Sequence, residues 1–251
     1  MLSPYDNDPL HTDMKTASDD WMADMDGDGV PELGVGRLPV RTVGEANTLV
    51  SKITGYVPGQ SGQGALLIAD HASDNDFEGA SSSVGQQLSA SVPVQVINRG
   101  TQDHNTVRNQ IIGNINAGPQ VVNYFGHGSV GLWTGAGLLT TGDAATLSNG
   151  NRLPVFTMMT CLNGYFHDVS GDSLAEALLK SQNGGAVAVW ASSGLTDMNG
   201  QRQIAGPFYQ LLFGGQPLTL GDAVRGAKNA TADQNVRRSW IFFGDPTQRI
   251  R

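Results

Sequence analysis

Val121-Val122-Asn123-Tyr124-Phe125-Gly126-His127-Gly128-Ser129 decides how this chain is read. Its first five residues are an apolar run of strand length, and a histidine between two glycines follows at once. The pattern returns downstream, where Val155-Phe156-Thr157-Met158-Met159 leads into Thr160-Cys161-Leu162-Asn163-Gly164. A histidine and the chain's only cysteine thus leave the carboxyl ends of two buried strands. Open α/β sheets place ligands and chemistry there. A thiol attacks only as thiolate, and an imidazole is the partner such chemistry requires. Alone, Gly-His-Gly reads as a tight turn and a free cysteine as a small buried hydrophobe. On matching strand ends the two favour catalysis.

Outward from these phrases, strand and helix patterns alternate. The expected strands are Ala65–Ala69, Val94–Ile97, Val121–Phe125, Val155–Met159, Ala186–Ala191 and Trp240–Phe243. The expected helices are Phe77–Ala90, Thr106–Ala117, Ser173–Ser181, Ile204–Phe213 and Leu220–Ala230. Continuous apolar strands between amphipathic helices predict a mainly parallel sheet covered on both faces. An earlier helix is announced by the capping box Thr42-Val43-Gly44-Glu45, with Ala46, Leu49, Val50, Ile53 and Tyr56 on one stripe. Glu32 to Val40 reads as a short strand, and residues 1–32 read as loop preceding a domain over 33–251.

Gly126-His127-Gly128-Ser129-Val130-Gly131 also spells the G-x-G-x-x-G dinucleotide fingerprint, with Asp143 downstream as a candidate ribose ligand. That motif needs a helix opening inside it to hold the pyrophosphate. Gly131-Leu132-Trp133-Thr134-Gly135-Ala136-Gly137 has no helical period, so a nucleotide-binding enzyme ranks last among the readings.

The chain has 251 residues, a net charge of −8, 39% hydrophobic and 15% charged residues. An acidic chain with a pI near 4.9 excludes nucleic acid as the expected partner, since phosphate binding needs a basic face. No apolar stretch reaches spanning length and no signal peptide opens the chain, so no membrane insertion is expected. One cysteine excludes an internal disulfide. The polar opening, Met1 to Pro9, reads as a cut inside a longer protein.

Asp24-Met25-Asp26-Gly27-Asp28-Gly29-Val30-Pro31-Glu32 sets carboxylates at relative positions 1, 3, 5 and 9, with glycine at 6. Hard oxygens spaced this way suit Ca²⁺, with the Val30 carbonyl as a further ligand. Position 12 is Val35 rather than the glutamate of an EF-hand, so a structural calcium loop of another type is expected. Asp19 or Asp20 could complete its shell.

At the histidine and cysteine phrases the chain resembles the gingipain-type cysteine peptidases, which have a caspase-like fold. Asn123–Ser129 is similar to their histidine motif and Thr160–Phe166 to their nucleophile motif. Gly36-Arg37-Leu38-Pro39, Leu174-Ala175-Glu176-Ala177-Leu178 and Phe243-Gly244-Asp245-Pro246 match in order. The resemblance implies an α/β, caspase-like three-layer sandwich with a mainly parallel central sheet. It makes Cys161 the nucleophile and His127 the general acid/base of a cysteine endopeptidase forming an acyl-enzyme. The amides of Gly128 and Cys161 would form the oxyanion hole, with no cofactor for catalysis. The family's histidine-orienting acid follows the strand equivalent to Ala65–Ala69, which points to Asp70. Its acidic specificity pocket points to Glu78, with Asp197 as a second contributor, and to cleavage after Arg or Lys. Polypeptide substrates, flanking domains and a secreted or cell-surface bacterial location follow from the same likeness. The leading alternative is a catalytically inactive, calcium-stabilised binding module of this fold.

Overall fold

The structure, a computed structural model, describes residues 2–4, 15–59, 62–88 and 91–251. Six strands make the central sheet: β1 (Ala65–Ala69), β2 (Val94–Asn98), β3 (Val121–Phe125), β4 (Val155–Met159), β5 (Ala188–Ser192) and β6 (Trp240–Phe243). Their spatial order is β6-β5-β4-β3-β1-β2. All neighbours are parallel except β5 and β6. The four inner strands are buried at every position, which is why their sequences run apolar without alternation.

Alternate residues of each strand feed two cores. Leu67, Phe125, Met159 and Trp190 meet Phe77 and Val84 of α2 (Phe77–Gly85), Phe208 of α6 (Met198–Phe213) and Val224 of α7 (Leu220–Asn229). Ile68, Tyr124, Met158 and Val189 meet Leu49 of α1 (Val43–Gly55), Ile111 of α3 (His104–Asn116), Ala144 of α4 (Thr141–Thr146) and Leu178 of α5 (Leu174–Lys180). Helix, sheet and helix thus stack as three layers.

The capping box expected at Thr42 is present: its hydroxyl accepts the Glu45 amide, and the Glu45 carboxylate accepts the Thr42 amide. Leu49 and Tyr56 of the expected stripe are buried, but Val50 is exposed. Helix α6 begins at Met198 rather than Ile204, because Asp197 caps it through the Gly200 amide. Helix α2 ends at Gly85, short of the expected Ala90; residues 89–90 lie outside the described residues.

Two expectations are corrected. Glu32 to Val40 is not a strand: a lone parallel bridge joins Arg37 to Phe243, and Pro39 has no amide to continue a ladder. Residues 1–32 are not loop throughout, since Leu2–Pro4 pairs antiparallel with Lys15–Ala17; residues 5–14 lie outside the described residues. Asp19 is salt-bridged to Arg37 and Asp20, through Oδ1, to Lys228, and neither is among the four carboxylates that converge in the acidic loop.

Candidate active site

β3 and β4 are parallel neighbours with Phe125 opposite Met159. His127 and Cys161 each lie two residues beyond that pair, so the two chains leave the sheet side by side on its carboxyl edge. Contact between the loops is close. A Cβ on Gly128 would lie 2.5 Å from the Thr160 hydroxyl and 3.2 Å from the Cys161 carbonyl, so only glycine fits. Buried Asn163 ties the loops together by donating its Nδ2 to the Ser129 carbonyl (2.6 Å) and the Leu132 carbonyl (3.2 Å).

Beyond His127 the chain forms a small antiparallel sheet of Gly128–Ser129, Leu132–Trp133 and Leu139–Thr140. No helix opens inside Gly126–Gly131, so the dinucleotide fingerprint has no helix end for a pyrophosphate. Asp143 is occupied as the partner of Arg108 and in the cap of α4.

The backbone of His127 is held at both ends. Its amide donates to Asp70 Oδ2 (3.4 Å), and its carbonyl accepts from the Tyr124 hydroxyl (2.8 Å) and the Thr134 amide (2.7 Å). Burial, and then the Asp70 charge, push the Tyr124 phenol well above its usual range, so it stays a donor. Tyr124 also stacks on Trp133 at 4.2 Å. Buried Asp70 pairs with Arg99 Nη1 at 2.9 Å, and the same nitrogen donates to the Thr134 hydroxyl at 3.4 Å. Thr134 adopts a left-handed φ of 47°. Gly126 admits no side chain, because a Cβ there would lie 2.2 Å from the Tyr124 hydroxyl and 2.6 Å from Asp70 Cβ. The exposed imidazole meets the Phe77 ring edge-on at 5.1 Å and the Ser73 hydroxyl at 3.1 Å from Nε2. Asp70 therefore bonds the backbone of His127, whereas Ser73 bonds its ring.

Cys161 is half-buried. Its Sγ accepts the Thr196 amide and donates to the Thr196 carbonyl, each at 3.4 Å. Burial pushes the thiol up, the Thr196 amide pulls it down, and the Asp197 charge pushes it up again. The net direction is upward, unlike the depressed value of an activated nucleophile. Leu162, next in sequence, is held at φ 61° by its amide's bond to the Gly194 carbonyl. Strain of this kind concentrates at functional sites.

The other expected residues are dispersed. Asp197 sits beside Thr196, near the sulfur. Glu78, in the first turn of α2, accepts from Asn98 (3.4 Å) at the end of the edge strand β2, three strand positions from β4. Asp24, Asp26, Asp28 and Glu32 bring one carboxylate oxygen each within 4.8 Å of one another, far along the chain from His127 and Cys161. Asp24 accepts the Gly27 and Gly29 amides, which wraps the loop around its carboxylate. Val30 donates its amide to Asp28. Ser73, Arg99 and Thr196 carry no local signature; each reaches the site through tertiary packing alone.

Gingipain R2 of Porphyromonas gingivalis is 30% identical to this chain over 155 residues, covering 56% of the chain and 21% of that protein. Gingipain R1 of the same organism is 30% identical over 155 residues, covering 15% of its length. The chain thus spans about a fifth or less of the curated relatives it matches. The crystal structure of the Arg-specific cysteine proteinase gingipain R superposes with a TM-score of 0.82 at 23% identity, over 93% of this chain and 59% of that one. The complex of the RgpB pro- and mature domains gives 0.82 at 22% identity, over 95% and 61%. The caspase-like sandwich is therefore the fold of this chain. Because the model of peptidase family C25 matches every residue from 1 to 251, the chain belongs to that family and is of gingipain type.

Proposed function

We propose that this chain is the catalytic unit of a cysteine endopeptidase in which Cys161 attacks the peptide carbonyl and His127 protonates the leaving amine. One observation carries the reading: His127 and Cys161 leave register-paired strand ends side by side, in loops joined by Asn163. The amides of Gly128 and Cys161 are the donors for the developing oxyanion. The Cys161 amide makes no hydrogen bond among the described residues, which suits it to that task. Asp197 supplies negative charge next to the sulfur and Glu78 a second acid farther off; together they support selection of Arg or Lys before the cleaved bond. Peptide amides with Arg, Lys, Asp or Leu at that position test this. Turnover ordered Arg and Lys above Leu and Asp is expected, and equal or faster Leu turnover contradicts it.

The inactive binding module is favoured by one observation, the burial of Sγ, which keeps the thiol protonated in the resting site despite the Thr196 amide. Cys161→Ala separates the readings, since a peptidase loses turnover in that variant and a contaminating activity does not. The calcium role belongs to the same proposal. Four convergent carboxylates on a glycine-rich turn fit a hard cation, and Ca²⁺ there would offset their mutual repulsion. Secretion, with flanking domains in a longer parent protein, completes the reading.

A further inference from the structure

The family's pattern calls for an acid on the catalytic imidazole, yet Asp70, the acid expected there, is committed elsewhere. Asp70 directs Oδ1 to Arg99 (2.9 Å) and the His71 amide (2.7 Å), and Oδ2 to the His127 amide (3.4 Å). The polar side chain that does meet the ring is Ser73, 3.1 Å from Nε2. Its loop is anchored on both sides. Asp70 fixes the start, and Asp76 caps α2 while Arg202 donates to its carbonyl at 2.9 Å and pairs with its carboxylate. Phe77, the first residue of α2, presents its ring to the imidazole at 80°, which limits the tilt but selects neither nitrogen. A hydroxyl both donates and accepts, so Ser73 can bond Nε2 in either tautomer, and the bond fixes the rotation of the ring rather than the place of its proton.

We propose that Ser73 is the positioning residue of His127, holding the ring through Nε2 and leaving Nδ1 for proton exchange at the reacting centre, in place of a carboxylate. The proposal rests on the peptidase reading above. A hydroxyl orients the ring without adding charge, whereas a carboxylate would also stabilise the imidazolium. Ser73 is exposed and belongs to no core, so its replacement leaves the fold intact.

The test uses Ser73→Ala, Ser73→Thr and Ser73→Asp with two readouts. One is long-range ¹H–¹⁵N NMR of the His127 ring, and the other is kcat and KM on an Arg peptide amide. In the wild type the ring is expected in a single orientation, with the Nε2 resonance shifted by the Ser73 bond. Ser73→Ala should abolish that Nε2 shift and lower kcat about tenfold, the scale of one lost hydrogen bond, with KM nearly unchanged. Ser73→Thr should restore both, and Ser73→Asp should move the alkaline limb of kcat/KM upward by about one pH unit. Wild-type ring shifts and kcat in Ser73→Ala would overturn the proposal. A wild-type chain that hydrolyses no peptide would contradict the peptidase reading instead, and the ring spectra would still decide what Ser73 does.

Discussion

At the scale of single residues, the resting thiol is held as a thiol. Sγ exchanges hydrogen bonds with both backbone groups of Thr196, and burial disfavours the anion more than the Thr196 amide favours it. A raised value means that the thiolate appears later as pH increases. Iodoacetamide should therefore modify the free protein with a midpoint above the ordinary thiol value of about 8.5, read from the rate of mass increase across pH. A midpoint near neutrality would show an activated thiol already in the resting site. The two principal residues were legible in sequence because each follows an apolar strand and is flanked by small or polar turn residues. Their partners were not. Ser73, Arg99 and Thr196 come from three other segments, and Asp70 was visible at its strand end while its target, a backbone amide rather than a ring, was not.

Among the elements, the turn after β3 is built as a clamp. Asp70, Tyr124 and Thr134 grip the two backbone groups of His127, and Arg99 joins Asp70 to Thr134. Asp70→Asn leaves a largely buried guanidinium without its counter-charge. It should cost about 3 kcal/mol in urea unfolding, together with most activity; unchanged stability would mean that the pair is dispensable. Gly126→Ala should be poorly tolerated, read as a lower urea midpoint, because the added carbon meets Tyr124 and Asp70 at once. The inner strands were legible as elements because burial on both faces makes them uniformly apolar. The start of α6 was not, since its first turn is polar and Pro207, which favours a first turn, lies well inside it. The pairing of Leu2–Pro4 with Lys15–Ala17 was hidden for a related reason: nothing in its polar, aspartate-rich surroundings alternates.

Over the whole molecule, the acidic loop of Asp24, Asp26, Asp28 and Glu32 is bound into the fold. Arg237 donates to the Gly29 carbonyl at 3.1 Å, and Asp20 just upstream pairs with Lys228. A cation held there should stabilise the entire domain by mass action. At a hundredfold excess over Kd the gain is about 2.7 kcal/mol, which raises Tm by roughly 5–10 °C in a chain of this size. A calorimetric Tm unchanged between excess Ca²⁺ and chelator would remove calcium from the account. Among the described residues no helix is long and apolar enough to cross a membrane. The central claim is that imidazole and sulfur serve one reaction. Labelling with an Arg-containing peptidyl chloromethyl ketone tests it most directly, followed by peptide mapping in the wild type and in His127→Ala. The account predicts a single adduct on Cys161 that forms far more slowly in the variant; equal labelling of the two proteins, or an adduct elsewhere, would contradict it.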